Sequence, residues 1–171
     1  MFHALQVLAL SLVAVAMALS LAHALELPGK MRLSRDEYVA VQRIYYPGFT
    51  IGGGVGEAGG LIATLALLLF TPRGTAEFWL TLVAVGALIG VQAVYWLVTH
   101  PVNRRWLEGQ QLGDLGSGFF SADPLKRQKG SNQGTPPDWI GLRDRWERSH
   151  LARAVLAGLS FFALTVALAI S

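Results

Sequence analysis

The chain has 171 residues, of which 53% are apolar, a net charge of +3 and no cysteine, and its mean hydropathy is +0.44. That is too oily for an ordinary soluble domain, so one membrane domain, 1–171, takes up nearly the whole length. Without cysteine it is not a small four-helix thiol–disulfide or quinone-coupled oxidoreductase built on Cys-x-x-Cys.

Four segments suffice to cross a hydrocarbon core of about 30 Å: roughly 2–25, 47–70, 77–99 and 151–170. The expected fold is all-α, an antiparallel four-helix transmembrane bundle. Loops 26–46 and 100–150, with a short helix, form a cytoplasmic cap. In the first segment Ala22-His23-Ala24 resembles a signal-peptidase site. No Lys or Arg precedes the apolar run, however, and Ala4 to Ala22 exceeds the about 7–15 residues of a signal core, so a retained span is expected. Pro28-Gly29 reads as its stop. Ser34 and Glu37 then form a capping box for a short helix, and Tyr45 and Tyr46 sit where an interfacial aromatic belt belongs.

The second span carries glycine at every fourth position, Gly48, Gly52, Gly56 and Gly60, with Thr64 next in register. Such a ridge admits a neighbouring backbone, within the bundle or in a homo-oligomer. No Lys-Ser/Thr follows it, which argues against a phosphate loop. Glu57 lies within this span, ~15 Å from the Pro47 end and close to the midplane. A charge there costs at least about 2.5–3.5 kcal/mol, so Glu57 is expected to face the interior and find a partner, or to stay protonated. The alternative to a functional carboxylate is a buried acid satisfied by a neighbouring helix.

Thr71-Pro72-Arg73-Gly74 reads as a tight turn into the third span, which carries Gln92, Tyr95, Trp96, Thr99 and Asn103 along one side. Gln92 is about 12 Å inside His100, deep enough to need a hydrogen-bond partner. Pro101 is expected to loosen the end of this span. The segment 107–138 lacks periodicity and reads as a flexible connection or lid. A last helix opens at Asp138, with Trp139, Arg143, Trp146, His150 and Arg153 on one continuous face. Trp146 and Arg153 have a plainer reading too, as interfacial anchors that snorkel.

Every basic residue except Arg73 falls in or beside 26–46 and 100–150. The positive-inside rule therefore places both long loops in the cytoplasm and both termini outside, in a bacterial cytoplasmic membrane. Acids are interspersed among these bases, a pattern that suits lipid headgroups and not nucleic acid.

The residues singled out for chemistry are His150, His23 and Glu57 as catalytic candidates. Gln92, Tyr95, Asn103, Trp146, Arg153 and Glu26 are candidates to line a pocket open to the cytoplasmic face. Apolar walls with a few polar groups suit a hydrophobic aromatic or quinone-like molecule, and a histidine would remove a proton from an acidic carbon or phenol. His23, Glu26, His150 and His100 suggest a metal, but a di-iron bundle needs two Glu-x-x-His motifs and further glutamates, so no metal or cofactor is favoured.

Two stretches carry a resemblance. Thr99-His100-Pro101-Val102-Asn103-Arg104-Arg105-Trp106, followed by Trp139 and Leu142-Arg143-Asp144-Arg145-Trp146-Glu147 with His150 and Arg153, resembles the anthrone oxygenase-like family of small four-helix membrane proteins. The resemblance implies cofactor-independent oxygenation of anthrones to anthraquinones, and it marks Asn103, Trp146, His150 and Arg153. The chain departs from it at Thr99, where Asn is expected. Other readings of the same residues are a non-enzymatic membrane module, either a small proton-linked transporter subunit or an assembly partner, and a metal or haem carrier.

Overall fold

Inside a bilayer, an apolar run of this length satisfies its own backbone hydrogen bonds only as a helix or a closed barrel. A computed structural model, which describes residues 2–45, 47–106 and 138–171, is helical almost throughout. Helix α1 (Phe2–Lys30) leads through the short α2 (Arg35–Gln42) and a 3-10 turn (Arg43–Tyr45) into α3 (Gly48–Phe70). Helices α4 (Ala76–Arg105) and α5 (Trp139–Ala169) complete the bundle. The four long helices are apolar enough to span a membrane, and no strand forms among the described residues. The protein is an all-α integral membrane protein.

Helix α1 packs on α3 and α5, and α4 packs on the same two, so the helices form a closed ring. His23, near the end of α1, meets Phe49 at the start of α3 and His150 in the first third of α5, as alternating directions require. Near the termini the core is made of small and branched side chains: Ala9 and Val13, Ala63 and Leu67, Ala84 and Leu88, Ala163 and Leu164. Ile62, Leu69, Val155 and Phe162 point outward and are well exposed, the arrangement expected of lipid-facing positions.

The glycine ridge is used within the chain. A Cβ placed on Gly56 would lie 2.8 Å from the backbone nitrogen of Ala16, closer than real side chains come. Gly52 and Gly60 face Leu19 and Val13 of the same helix, whereas Gly48 has nothing within 4 Å. The α3–α4 turn is tight, with Gly74 at φ +88°, and Thr75 Oγ1 caps α4 by accepting the N–H of Phe78 at 3.2 Å.

Three details depart from the expected layout. Helix α1 runs past Pro28-Gly29 to Lys30, whose side chain is drawn into the bundle instead of lying in a loop. Pro101 does not end α4: a π-turn covers Tyr95–Thr99, just before it, and the helix continues beyond it to Arg105. A second π-turn covers Val55–Gly59 in α3. The expected lid, 107–138, lies outside the described residues except for Asp138, which caps α5 by accepting the N–H of Gly141 at 3.0 Å.

Candidate functional site

Helical spacing brings the polar residues to one interior strip. On α1, His23, Glu26 and Lys30 are three and four residues apart and share a side. On α5, Trp146, His150 and Arg153 do the same. Helix α2 and the 3-10 turn after it carry Tyr38 and Tyr45 over this end of the bundle, and both rings are buried.

At the outer level Lys30 is the hub, with only 4% of its surface exposed. Its ammonium lies 3.1 Å from Glu26 Oε2, 3.5 Å from Glu147 Oε1 and 3.3 Å from His23 Nδ1, so its three N–H groups have three acceptors. It also stands 5.0 Å from the ring centres of Tyr45 and Trp146. Tyr38 donates its hydroxyl to Glu147 at 2.7 Å, and Tyr45 donates to Glu26 at 2.6 Å. Burial, reinforced by these hydrogen bonds to carboxylates, pushes both phenols well above the usual tyrosine range, so they stay donors.

One level deeper two imidazoles meet inside an aromatic box. The His23 and His150 rings pack edge to face at 4.3 Å. Trp146 lies 3.9 Å from His150, while Tyr45 and Phe49 lie 4.4 and 4.9 Å from His23. Trp146 is held in turn by donating its indole N–H to Asn103 Oδ1 at 2.7 Å. The hydrogen bonds fix both tautomers. His150 Nδ1 faces the carbonyl of Trp146 at 3.1 Å and must donate, which leaves Nε2 to accept from Arg153 at 3.3 Å. His23 accepts from Lys30 at Nδ1, which leaves its proton on Nε2.

At the deepest level Arg153 joins the box to the bundle centre. One terminal nitrogen serves His150, and the other forms a close ion pair with Glu57. Its guanidinium carbon lies 5.3 Å from the Tyr95 ring centre. Glu57 sits inside the first π-turn and Tyr95 opens the second, so both departures from regular helix border the same guanidinium. Arg153 is buried and does not snorkel.

The structure thus brings His23, His150, Trp146, Arg153, Glu57, Tyr95, Asn103 and Glu26 into one connected array. Gln92 is half-buried on α4 and is not joined to this array by any contact described above. His100, fully buried, packs on Tyr95 and Trp96 at 5.9 and 5.0 Å and so meets the array through Tyr95. Tyr45, expected in a surface belt, is interior. Lys30, Tyr38 and Glu147 were not singled out by sequence. Lys30 had a signal, its spacing from His23 and Glu26, but the Tyr38–Glu147 pair joins positions 109 residues apart and had none.

A metal fits this array poorly, because the lone pairs of His23 Nδ1 and His150 Nε2 each face a cation. Among the described residues no three His, Asp or Glu side chains are grouped for metal binding. What the fold and site define is a membrane bundle with an ion-paired, aromatic-walled interior. The anthrone oxygenase family model matches residues 42–163, more than half of the chain, and the protein belongs to that family. The match takes in Glu57, Tyr95, Asn103, Trp146, His150 and Arg153 and begins after His23 and Lys30. No curated protein and no solved structure matches the chain.

Proposed function

We propose that the protein is an oxygenase-like membrane enzyme acting on a flat hydrophobic aromatic of the anthrone or quinone class, drawn from the bilayer. The observation that carries this reading is the Glu57–Arg153–His150 array, a carboxylate, a guanidinium and an imidazole linked in a row within membrane helices. An anthrone has an acidic CH₂ between two rings, and its anion spreads charge onto the ring oxygen. Glu57 takes the proton, and the cation of Arg153 stabilises the anion. That anion is electron-rich enough to reduce dioxygen. Carbon–oxygen bond formation gives a hydroperoxide, and loss of water leaves the quinone carbonyl. One dioxygen is consumed and one water released, with no cofactor in the balance. His150 is a positioning residue in this scheme, since its Nε2 lone pair holds Arg153 and is not free to act as the base.

The test is oxygen uptake and quinone formation from an anthrone by the purified protein in nanodiscs. Wild type is expected to exceed the protein-free autoxidation rate, with Glu57→Gln reduced at least tenfold per folded molecule. A wild-type rate equal to autoxidation overturns the reading.

A second reading, a proton-linked membrane module, is favoured by the continuity of the polar array from Glu57 to Glu26, whose side chain is 41% exposed. Proton flux into dye-loaded proteoliposomes without added aromatic supports it over the enzyme. In either case the basic end is proposed to face the cytoplasm, with both termini on the far side.

A further inference from the structure

The guanidinium of Arg153 is only partly used. It carries five N–H donors in a rigid plane. Each terminal nitrogen has a partner, His150 or Glu57, whereas Nε is buried with no hydrogen-bond partner. The residue as a whole is only 7% exposed. Buried donors are rarely left unmatched, and one on a cation is the more exceptional. Its direction is fixed in advance. The Trp146 carbonyl orients His150, His150 and Glu57 hold the two ends of the guanidinium, and Tyr95 lies along it. The flanking helices depart from regular geometry at this level, through the π-turns at Val55–Gly59 and Tyr95–Thr99. Such turns recur at functional sites.

We infer that Arg153 Nε–H is an oxyanion site, which takes the phenolate or enolate oxygen of a flat aromatic ligand. Nε is the one guanidinium nitrogen with no partner, and its single N–H suits one oxygen acceptor. Glu57 already balances the guanidinium charge, so the site binds an oxygen whose charge is spread over a ring better than a compact anion. The Tyr95 ring offers an apolar neighbour for that ring system. Because the donor is aimed before the ligand arrives, it favours the ionised form over the neutral phenol or ketone. This inference rests on the function proposed above and names the group that receives the substrate's oxygen.

The probe is 2-hydroxyanthraquinone, which resembles a product, does not turn over, and changes colour when its phenol ionises. With wild-type protein the bound probe is expected to ionise at least one pH unit lower than in empty micelles of the same detergent. Arg153→Lys keeps a cation beside Glu57 but lacks the fixed Nε–H, and it should abolish the shift. Glu57→Gln removes the counter-charge and should enlarge it, so the inference stays testable if the Lys variant fails to fold. A probe that does not bind, or one whose ionisation is the same in wild type, Glu57→Gln and empty micelles, overturns the oxyanion site. Anthrone turnover without the shift sinks this inference alone. The shift without turnover keeps it and sinks the oxygenase reading.

Discussion

The two ends of the bundle are built on different physics. Toward the termini, Ala9, Val13, Ala63, Leu67, Ala84 and Leu88 pack without a hydrogen bond between their side chains. In lipid such a core gains little from the hydrophobic effect, since acyl chains are as apolar as leucine, so close van der Waals approach is what holds it. Toward the basic end, Lys30, Glu147, Arg153 and Glu57 bring ionisable side chains together in the interior, with Glu26 at its edge. There cohesion depends on matching each charge, and a single missing partner strands another. The first kind of core fails through bad shape and the second through bad charge balance.

Lys30→Met is the sharpest way to break that contrast. It leaves Glu147 buried without its cation, and removing one partner of a buried pair costs about 3–5 kcal/mol. A melting temperature in detergent within a degree of wild type would mean that the outer charges are not holding the bundle. Gly56→Leu attacks the other end of the comparison, because its side chain must enter the backbone of Ala16. Overpacking of this kind costs about 1–3 kcal/mol, whereas Ala58→Leu, one turn-face away and exposed, should melt like wild type. Equal melting of the two leucine variants would remove the close-approach argument.

Smaller effects refine the charge-matched end. Tyr38→Phe removes a hydrogen bond to the buried Glu147, a loss of about 1–3 kcal/mol. Tyr45→Phe should cost less, because Glu26 is partly exposed and water can replace the phenol. The same phenols give a pH signature. Both have raised folded-state values, so the stability they lend is complete below the unfolded tyrosine value of about 10 and declines as pH rises above it. Ultraviolet titration should therefore find Tyr38 and Tyr45 un-ionised until the protein unfolds. Ionisation of all four tyrosines near pH 10 with the fold intact would show that the two rings are open to solvent.

Much of this was legible in the sequence because it is periodic. The length of the apolar runs gives the four spans, the four-residue glycine period gives the close-approach face of α3 without naming α1 as its partner, and the Trp146–His150–Arg153 spacing gives the interior face of α5. Glu57 was legible as a carboxylate in need of a partner, but that partner, Arg153, lies 96 residues away. Neither period nor capping signal encodes such a pairing. Lys30 was misread because Pro28-Gly29 usually ends a helix, and here the attraction of Glu26 and Glu147 accompanies a further turn. The π-turn at Tyr95–Thr99 lies just before Pro101, whose ring and missing N–H disturb the preceding turn, whereas the one at Val55–Gly59 has no proline behind it to mark it.

The Trp146–Asn103 hydrogen bond has a consequence for how the chain is divided. It joins the last turns of α4 to the first turns of α5 on the near side of the connection between them, and the two helices also pack along their length. The last helix meets the three-helix body of α1, α3 and α4 through this bond, the Lys30–Glu147 and Tyr38–Glu147 contacts and the Glu57–Arg153 ion pair. Those two pieces mark the natural seam for a split protein, with Glu57 on one fragment and Arg153 on the other, so that the ion pair forms only on reassembly.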